Sequence, residues 1–252
     1  MGLGLGTLYI YFKQKLLLIH NTPLFIMRTL SFLLAFASLS FIMGCDGDDP
    51  TQTEYANLRV YNGLSDVPLM AVKAGTTDVA SNLNYQARAP FFQMKAGSRQ
   101  TVGMYRQGSA TPILEKQQTF VKDEMLFWLL LGNTTQPELL SITETPQTPV
   151  GGKALVRFVL GAKTTTLQYS VFLAPVGADF ESVQQWSGNV GYKSVVAYRA
   201  FDPGNYQIAI LNPNRNFTSK AITLAAGEVR TLILADPINP SDGFDLVNLK
   251  DN

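Results

Sequence analysis

Beyond Tyr55 the chain is built from short runs rich in β-branched and aromatic residues, recurring about every 8–15 residues between Gly, Pro, Asn and Asp turns. No strongly amphipathic stretch of helical period separates them, which argues against βαβ architectures. Short strands at this spacing fold into sandwiches, in which the inward side chains of two sheets share one core. The run Met125-Leu126-Phe127-Trp128-Leu129-Leu130-Leu131 is apolar at every position and reads as a central strand. It is far shorter than the ~20 residues of a helical membrane span. Hydrophobic residues make up 46% of the chain and charged residues 15%, so a packed core is expected and wholesale disorder is not.

Two stretches of this strand-rich region can be laid side by side. One opens with Ala56-Asn57-Leu58-Arg59-Val60, the other with Ala154-Leu155-Val156-Arg157-Phe158. Tyr85 stands 12 residues before Gly97, as Tyr192 stands 12 residues before Gly204, and an aromatic (Phe91, Tyr198) follows each Tyr by six. Each Gly leads an alternating run, Thr101 to Tyr105 and Tyr206 to Ile210. A turn and an apolar strand follow in both, Met125 to Leu131 and Val229 to Leu234. These spacings predict a duplicated module, 56–147 and 152–252, joined near Thr145-Pro146-Gln147-Thr148-Pro149. The second copy is longer by nine residues between Arg157 and Tyr192; the extra material, Ala178 to Asn189, includes Phe180 and Trp186.

The first copy resembles a bacterial family, the domain of unknown function 4397. The residues that carry the resemblance are Ala56 to Tyr61, then Asn62-Gly63-Leu64-Ser65-Asp66-Val67-Pro68, Leu83-Asn84-Tyr85 and Lys95-Ala96-Gly97. Asn62 stands where the family carries His. The second copy keeps Gly191-Tyr192 and Asp202-Pro203-Gly204-Asn205-Tyr206 but lacks the Ser-Pro-Asp signature. The resemblance implies tandem β-sandwich domains on exported or lipid-anchored proteins and carries no activity or catalytic residues. On residue chemistry alone, Ser65-Asp66-Val67-Pro68 reads as a structural turn, with a ligand loop as the alternative.

The N-terminal segment supplies an anchor. Met27-Arg28-Thr29 reads as a basic n-region, Leu30 to Ile42 as an apolar h-region, and Ile42-Met43-Gly44-Cys45 resembles the lipobox of bacterial lipoproteins. There the thiol receives a diacylglycerol and cleavage falls before the Cys. Residues 1–44 are therefore expected to be leader, with Met27 as an alternative start, and 45–55 a lipidated Cys45 and acidic tether. Each buried methylene contributes about 0.8 kcal/mol, so two or three chains hold a protein on a bilayer. The competing reading is an uncleaved transmembrane helix; the polar, helix-breaking Asp46-Gly47-Asp48-Asp49-Pro50 argues against it.

Composition narrows the chemistry. Three of the 20 basic residues and none of the 19 acidic ones precede Cys45, leaving the rest at −2 with no basic stripe for nucleic acid. The single Cys excludes an internal disulfide. The single histidine, His20, lies in the leader, so the mature chain has no imidazole for a Ser-His-Asp triad or a His-ligated metal. Gly151-Gly152-Lys153 lacks the spacing of a phosphate loop. Paired carboxylates, Asp179 with Glu181 or Asp123 with Glu124, are the remaining route to hydrolysis. Asp46, Asp48 and Asp49 lack the Gly and Glu of a calcium loop and read as a solvated tether. The sequons at Asn133 and Asn216 read as accidental matches in a bacterial lipoprotein.

The expectation is an all-β chain: two tandem immunoglobulin-like or prealbumin-like antiparallel β-sandwich domains after a signal peptide and short tether. It is expected to be a non-catalytic lipoprotein of the cell envelope without cofactor or metal, at the outer rather than the inner membrane, with the leaflet left open. Its expected partners are the membrane, through the lipid on Cys45, and an envelope protein or polysaccharide. The candidate contact surface is Phe180, Trp186 and Tyr192, for which core packing is an equal explanation. A carboxylate-dependent glycan hydrolase and a purely structural spacer are the alternatives.

Overall fold

The computed structural model describes residues 53–163, 168–179, 182–211, 217–237 and 244–251. Cys45, the leader and the acidic tether lie outside the described residues, as do Phe180, Glu181 and Asn216. Residues 53–252 form one compact unit.

Among the described residues every element is a strand. In chain order they are β1 (Tyr55–Leu64), β2 (Leu69–Ala74), β3 (Thr77–Asn84), β4 (Phe92–Lys95), β5 (Arg99–Arg106), β6 (Pro112–Thr119), β7 (Met125–Asn133) and β8 (Gln136–Glu144). Then come β9 (Ala154–Leu160), β10 (Tyr169–Pro175), β11 (Ser187–Val190), β12 (Val195–Phe201), β13 (Gly204–Leu211), β14 (Phe217–Leu224), β15 (Val229–Ala235) and β16 (Asp245–Lys250). They make four four-stranded sheets, ordered β4-β1-β7-β8, β3-β2-β5-β6, β12-β9-β15-β16 and β11-β10-β13-β14. Adding eight to each label of the first pair reproduces the second pair. The all-β sandwich expectation is borne out.

One feature of the pairing differs from the expected antiparallel sheets. β1 runs parallel to β7, with Asn57 opposite Met125 and Leu64 opposite Gly132. β9 runs parallel to β15, from Leu155 opposite Val229 to Leu160 opposite Leu234. A hairpin forces its two strands to be antiparallel, but β1 and β7 are linked through five intervening strands, one of the sheet's own (β4) and four in the facing sheet, and their direction is free. Nothing in local turn chemistry records that choice.

Period-two alternation assigns each side chain to a layer. Leu58, Val60, Leu126, Trp128 and Leu130 point inward against Met70, Val72, Val102 and Met104 of the facing sheet. Trp128 is fully buried, its ring centroid 6.2 Å from that of Phe120. Val156, Phe158, Leu160, Leu232 and Leu234 do the same against Val171, Leu173, Ile208 and Ile210 in the second sandwich. The alternate residues face outward and still find an apolar partner. Tyr61, Phe127, Leu129 and Leu131 pack on Val159, Ile233, Ala235 and Val247 in a third core between the sandwiches. The apolar run Met125 to Leu131 of β7 is accounted for by burial on both faces.

Turn residues fix the ends. Asn133 Oδ1 accepts from the amides of Thr135 and Gln136 at 3.1 and 2.9 Å, shaping the β7–β8 hairpin. Gly132 before it has φ +88, and a Cβ there would meet Gln136 O at 2.7 Å, so only glycine serves.

Candidate functional site

The two parallel-paired sheets carry the polar groups least expected inside a protein. Arg59 and Arg157 stand on β1 and β9, at the same place in each copy's opening strand. Their side chains are 5% and 4% exposed, and those of Glu144 and Asp251, which end β8 and follow β16, are 7% and 6%. Arg59 Nη2 donates to Glu144 Oε1 at 2.6 Å and to Asp251 Oδ1 at 3.1 Å. Arg157 Nη2 donates to the same Glu144 oxygen, and its Nε donates to Thr231 Oγ1 at 2.7 Å. Arg88 binds Asp251 Oδ1 and donates to Lys250 O at 2.7 Å. Aromatic faces complete the arrangement: Arg59 lies 4.6 Å from the Phe91 ring centroid and Arg157 lies 4.9 Å from that of Tyr198. Phe127 sits between them, 4.8 Å from Arg59 and 5.5 Å from Arg157.

The cluster repeats across the two halves in position, Arg59, Phe91 and Glu144 of the first standing where Arg157, Tyr198 and Asp251 stand in the second, while the ion pairs cross between them: Arg157 to Glu144 and Arg59 to Asp251. Burying charge costs several kcal/mol per ion, roughly, unless each has partners. Here three guanidiniums share two carboxylates. Burial, and then the neighbouring Arg59, lower the Arg88 guanidinium from its ordinary value. Burial pushes the Tyr198 phenol up to about 12. Arg59 Nε and Glu144 Oε2 are buried without a hydrogen-bond partner. A cavity of about 70 Å³ opens above the cluster, between Phe91, Glu144, Pro146, Tyr198 and Asp251.

The opposite end of the junction has its own polar seam. Glu138 bridges Lys163 and Lys193, each at 2.8 Å, and these hydrogen bonds hold its carboxyl below the ordinary value. Tyr85 donates to Asp236 O, Gln86 Nε2 donates to Asp245 Oδ2 at 2.6 Å, and Asp236 Oδ2 accepts from Lys163 N at 3.0 Å. Burial takes the Tyr85 phenol up to about 12 and drives Tyr61 and Tyr192 well above their ordinary range.

Two residues of the first copy's signature stretch, Asn62 near the end of β1 and Asp66 in the turn after it, make structural hydrogen bonds. Asn62 is fully buried; its Nδ2 donates to Val67 O at 2.9 Å and Leu83 O at 3.1 Å, and its Oδ1 accepts from Leu64 N at 3.3 Å. Asp66 reaches across to the β7–β8 hairpin and accepts from Thr134 N at 3.1 Å.

The aromatic residues singled out from the sequence are partly covered. Trp186 meets Phe158 edge-on at 6.4 Å and Phe201 at 5.3 Å, lying against the second core. Tyr192 packs on that core and on the junction, and its buried hydroxyl has no hydrogen-bond partner. Phe180 lies outside the described residues. Asp123 and Glu124 occupy the turn before β7, where Glu124 Oε2 accepts from Val121 N at 3.4 Å, and Asp179 lies in the exposed turn after β10. Among the described residues no group of His, Cys, Asp and Glu could hold a metal ion.

Sequence reasoning did not single out Arg59, Arg157, Glu144 or Asp251. One signal was present: an arginine three residues after the alanine that opens each repeat, Ala56 and Ala154. Chemically, the assembly grips two sheets together. Both oxygens that take part in the ion pairs, Glu144 Oε1 and Asp251 Oδ1, already serve two guanidiniums each.

Residues 56–167 match the model of a family described as a domain of unknown function (DUF4397). The resemblance read from Ala56 to Gly97 is borne out for that stretch. No curated protein matches the chain. Among solved structures, a carbohydrate-binding module of family CBM26 from Eubacterium rectale Amy13K, crystallised with maltoheptaose, covers 79% of this chain and 97% of its own at 14% identity and a TM-score of 0.25. A Bacteroides fragilis protein, described as a proposed cell adhesion protein, covers 80% of this chain and 98% of its own at 9% identity and a TM-score of 0.23.

Proposed function

We propose that the chain is a non-catalytic binding or scaffold lipoprotein of the bacterial cell envelope, held through lipid on Cys45 and displaying two copies of one module as a single rigid body. The observation that carries this reading is the buried junction. The converging carboxylates, Glu144 and Asp251, are engaged by Arg59, Arg88 and Arg157, so the strongest polar chemistry of the protein is spent on holding its halves together. A glycan hydrolase needs one carboxyl free to donate a proton and another free to attack or to activate water. That requirement disfavours the hydrolase reading at this site.

The partner is an envelope protein or a polysaccharide, met by the exposed loops and sheet edges. Two measurements test the proposal. Cells fed a clickable fatty acid should label the wild-type protein and leave Cys45→Ala unlabelled; label on the variant would refute the anchor. The purified protein should enrich a defined envelope component in crosslinking pull-downs and show no turnover on a glycan panel. Hydrolysis abolished by one Asp→Asn change would overturn the non-catalytic reading.

A further inference from the structure

Six large hydrophobic residues are exposed among the described residues, and they are unevenly placed. The three most exposed, Val150 at 74%, Val121 at 64% and Val176 at 58%, lie in three different connections, β8–β9, β6–β7 and β10–β11. Strand register puts all three at one end of the molecule. Met125, the first residue of β7, pairs with Asn57 near the start of β1, and Glu144, the last of β8, pairs with Met125. Phe201 pairs with Ala154, the first residue of β9, and Pro175 pairs with Tyr206, just after the start of β13. The contacts of Arg59 and Arg157 with Glu144 and Asp251 bring the corresponding ends of the two sandwiches together. Tyr55, 41% exposed, belongs to the same end: Asp123 N donates to its carbonyl at 2.9 Å. The connections at the opposite end carry Asp66, Gln107 and Thr134, and the two hydrophobics exposed at that end, Leu69 at 37% and Val195 at 40%, are the least exposed of the six.

The chain enters this apolar-tipped end. Cys45 precedes Tyr55 by ten residues, and a tether of that length reaches at most about 35 Å. We infer that the end carrying Val121, Val150 and Val176 lies against the bilayer, their side chains entering the headgroup region beside Lys122 and Lys153. The inference rests on the lipid-anchor reading above. A single valine tip binds a membrane negligibly. Three tips on a body held within a few nanometres by acyl chains act together, because the anchor makes their encounter with lipid intramolecular. Lys122 and Lys153 are 58% and 42% exposed, and such side chains lay their stems on lipid while keeping the ammonium in water. The opposite, polar end then faces away from the membrane, open to partners.

The test uses the full lipidated protein in vesicles of phosphatidylethanolamine and phosphatidylglycerol carrying a headgroup nitroxide. Single cysteines at Val121, Val150 or Val176, and at Leu69 and Val195 as controls, carry a fluorophore. Quenching at the first three should exceed that at the controls by about threefold or more. A fluorophore at Lys122→Cys should lose most of its quenching when Val121, Val150 and Val176 are all replaced by Asp. Equal quenching at both ends, with the protein co-floating with vesicles, would overturn the orientation and leave the anchor standing. Concentration-dependent crosslinking through the three valines without quenching would overturn it in favour of a second copy. Failure of the wild-type protein to co-float would overturn the anchor and this inference together.

Discussion

Arg157 shows what a single charge can cost. Its guanidinium is bound to Glu144 and Thr231 and stacks over Tyr198, with almost no water available to replace any of them. Arg157→Met leaves Glu144 with one partner fewer, and Glu144→Gln strips charge from two guanidiniums at once. Each should lower unfolding free energy by about 3–5 kcal/mol in urea titrations, the range for breaking a buried pair from one side. Lys122→Ala, which removes the exposed pair with Glu54, should fall within about 1 kcal/mol of wild type. Asn62→Ala should cost about 1–3 kcal/mol, because two carbonyls and an amide lose their partner in a dry interior. In the sequence this residue was legible only as standing where the resembled family carries His; the structure places it on β1, where it holds the following turn through Val67 O. The arginines were legible only as a coincidence of position, since hydropathy marks where charge is unwelcome and is silent on what compensates it.

At the scale of elements, β7 explains why strand content was readable and strand direction was not. Seven consecutive apolar residues announced a strand buried on both faces, and Leu126, Trp128 and Leu130 indeed fill one core while Phe127, Leu129 and Leu131 fill another. The parallel partnership with β1 depends on a strand roughly 70 residues away and leaves no local mark. Gly63 records it indirectly. A Cβ there would meet Leu130 O and Tyr61 Cε1 at 2.8 Å, a backbone atom of the parallel neighbour and a ring wedged in the junction. Gly63→Ala should therefore lower stability by about 1–3 kcal/mol by chemical denaturation, since neither obstacle can swing aside. Trp186 and Tyr192 were read from the sequence as candidates for contact or for core; each is partly covered where it stands, Trp186 against the second core and Tyr192 against that core and the junction.

Across the whole molecule, the junction makes two sandwiches share one stability. Tyr61, Phe127, Val159 and Ile233 are fully buried only while both are present. Calorimetry should record a single unfolding transition, and Phe127→Asp, placing an unpaired acid in that layer, should split it in two. High pH should act through the same surface. Tyr85 and Tyr198 lie at the junction with phenols raised from the ordinary 10 to about 12, so each binds its proton more tightly folded than unfolded. Their contribution is complete below pH 10 and is lost as pH rises through about 12. Alkaline titration should show phenolate absorbance appearing together with loss of structure. Tyr85→Phe should flatten that dependence.

The parallel pairing of first and seventh strands has a kinetic consequence. β1 has no long partner until β7 arrives, since β4 offers it only four residues of register. Each module therefore has a high contact order, and chains of that kind fold in milliseconds to seconds, where local hairpins and helices need microseconds. A fragment ending before Met125 should leave its N-terminal strand unpaired along most of its length and be cleared by proteases. Assembly of each half is in effect postponed until nearly all of that half has been made.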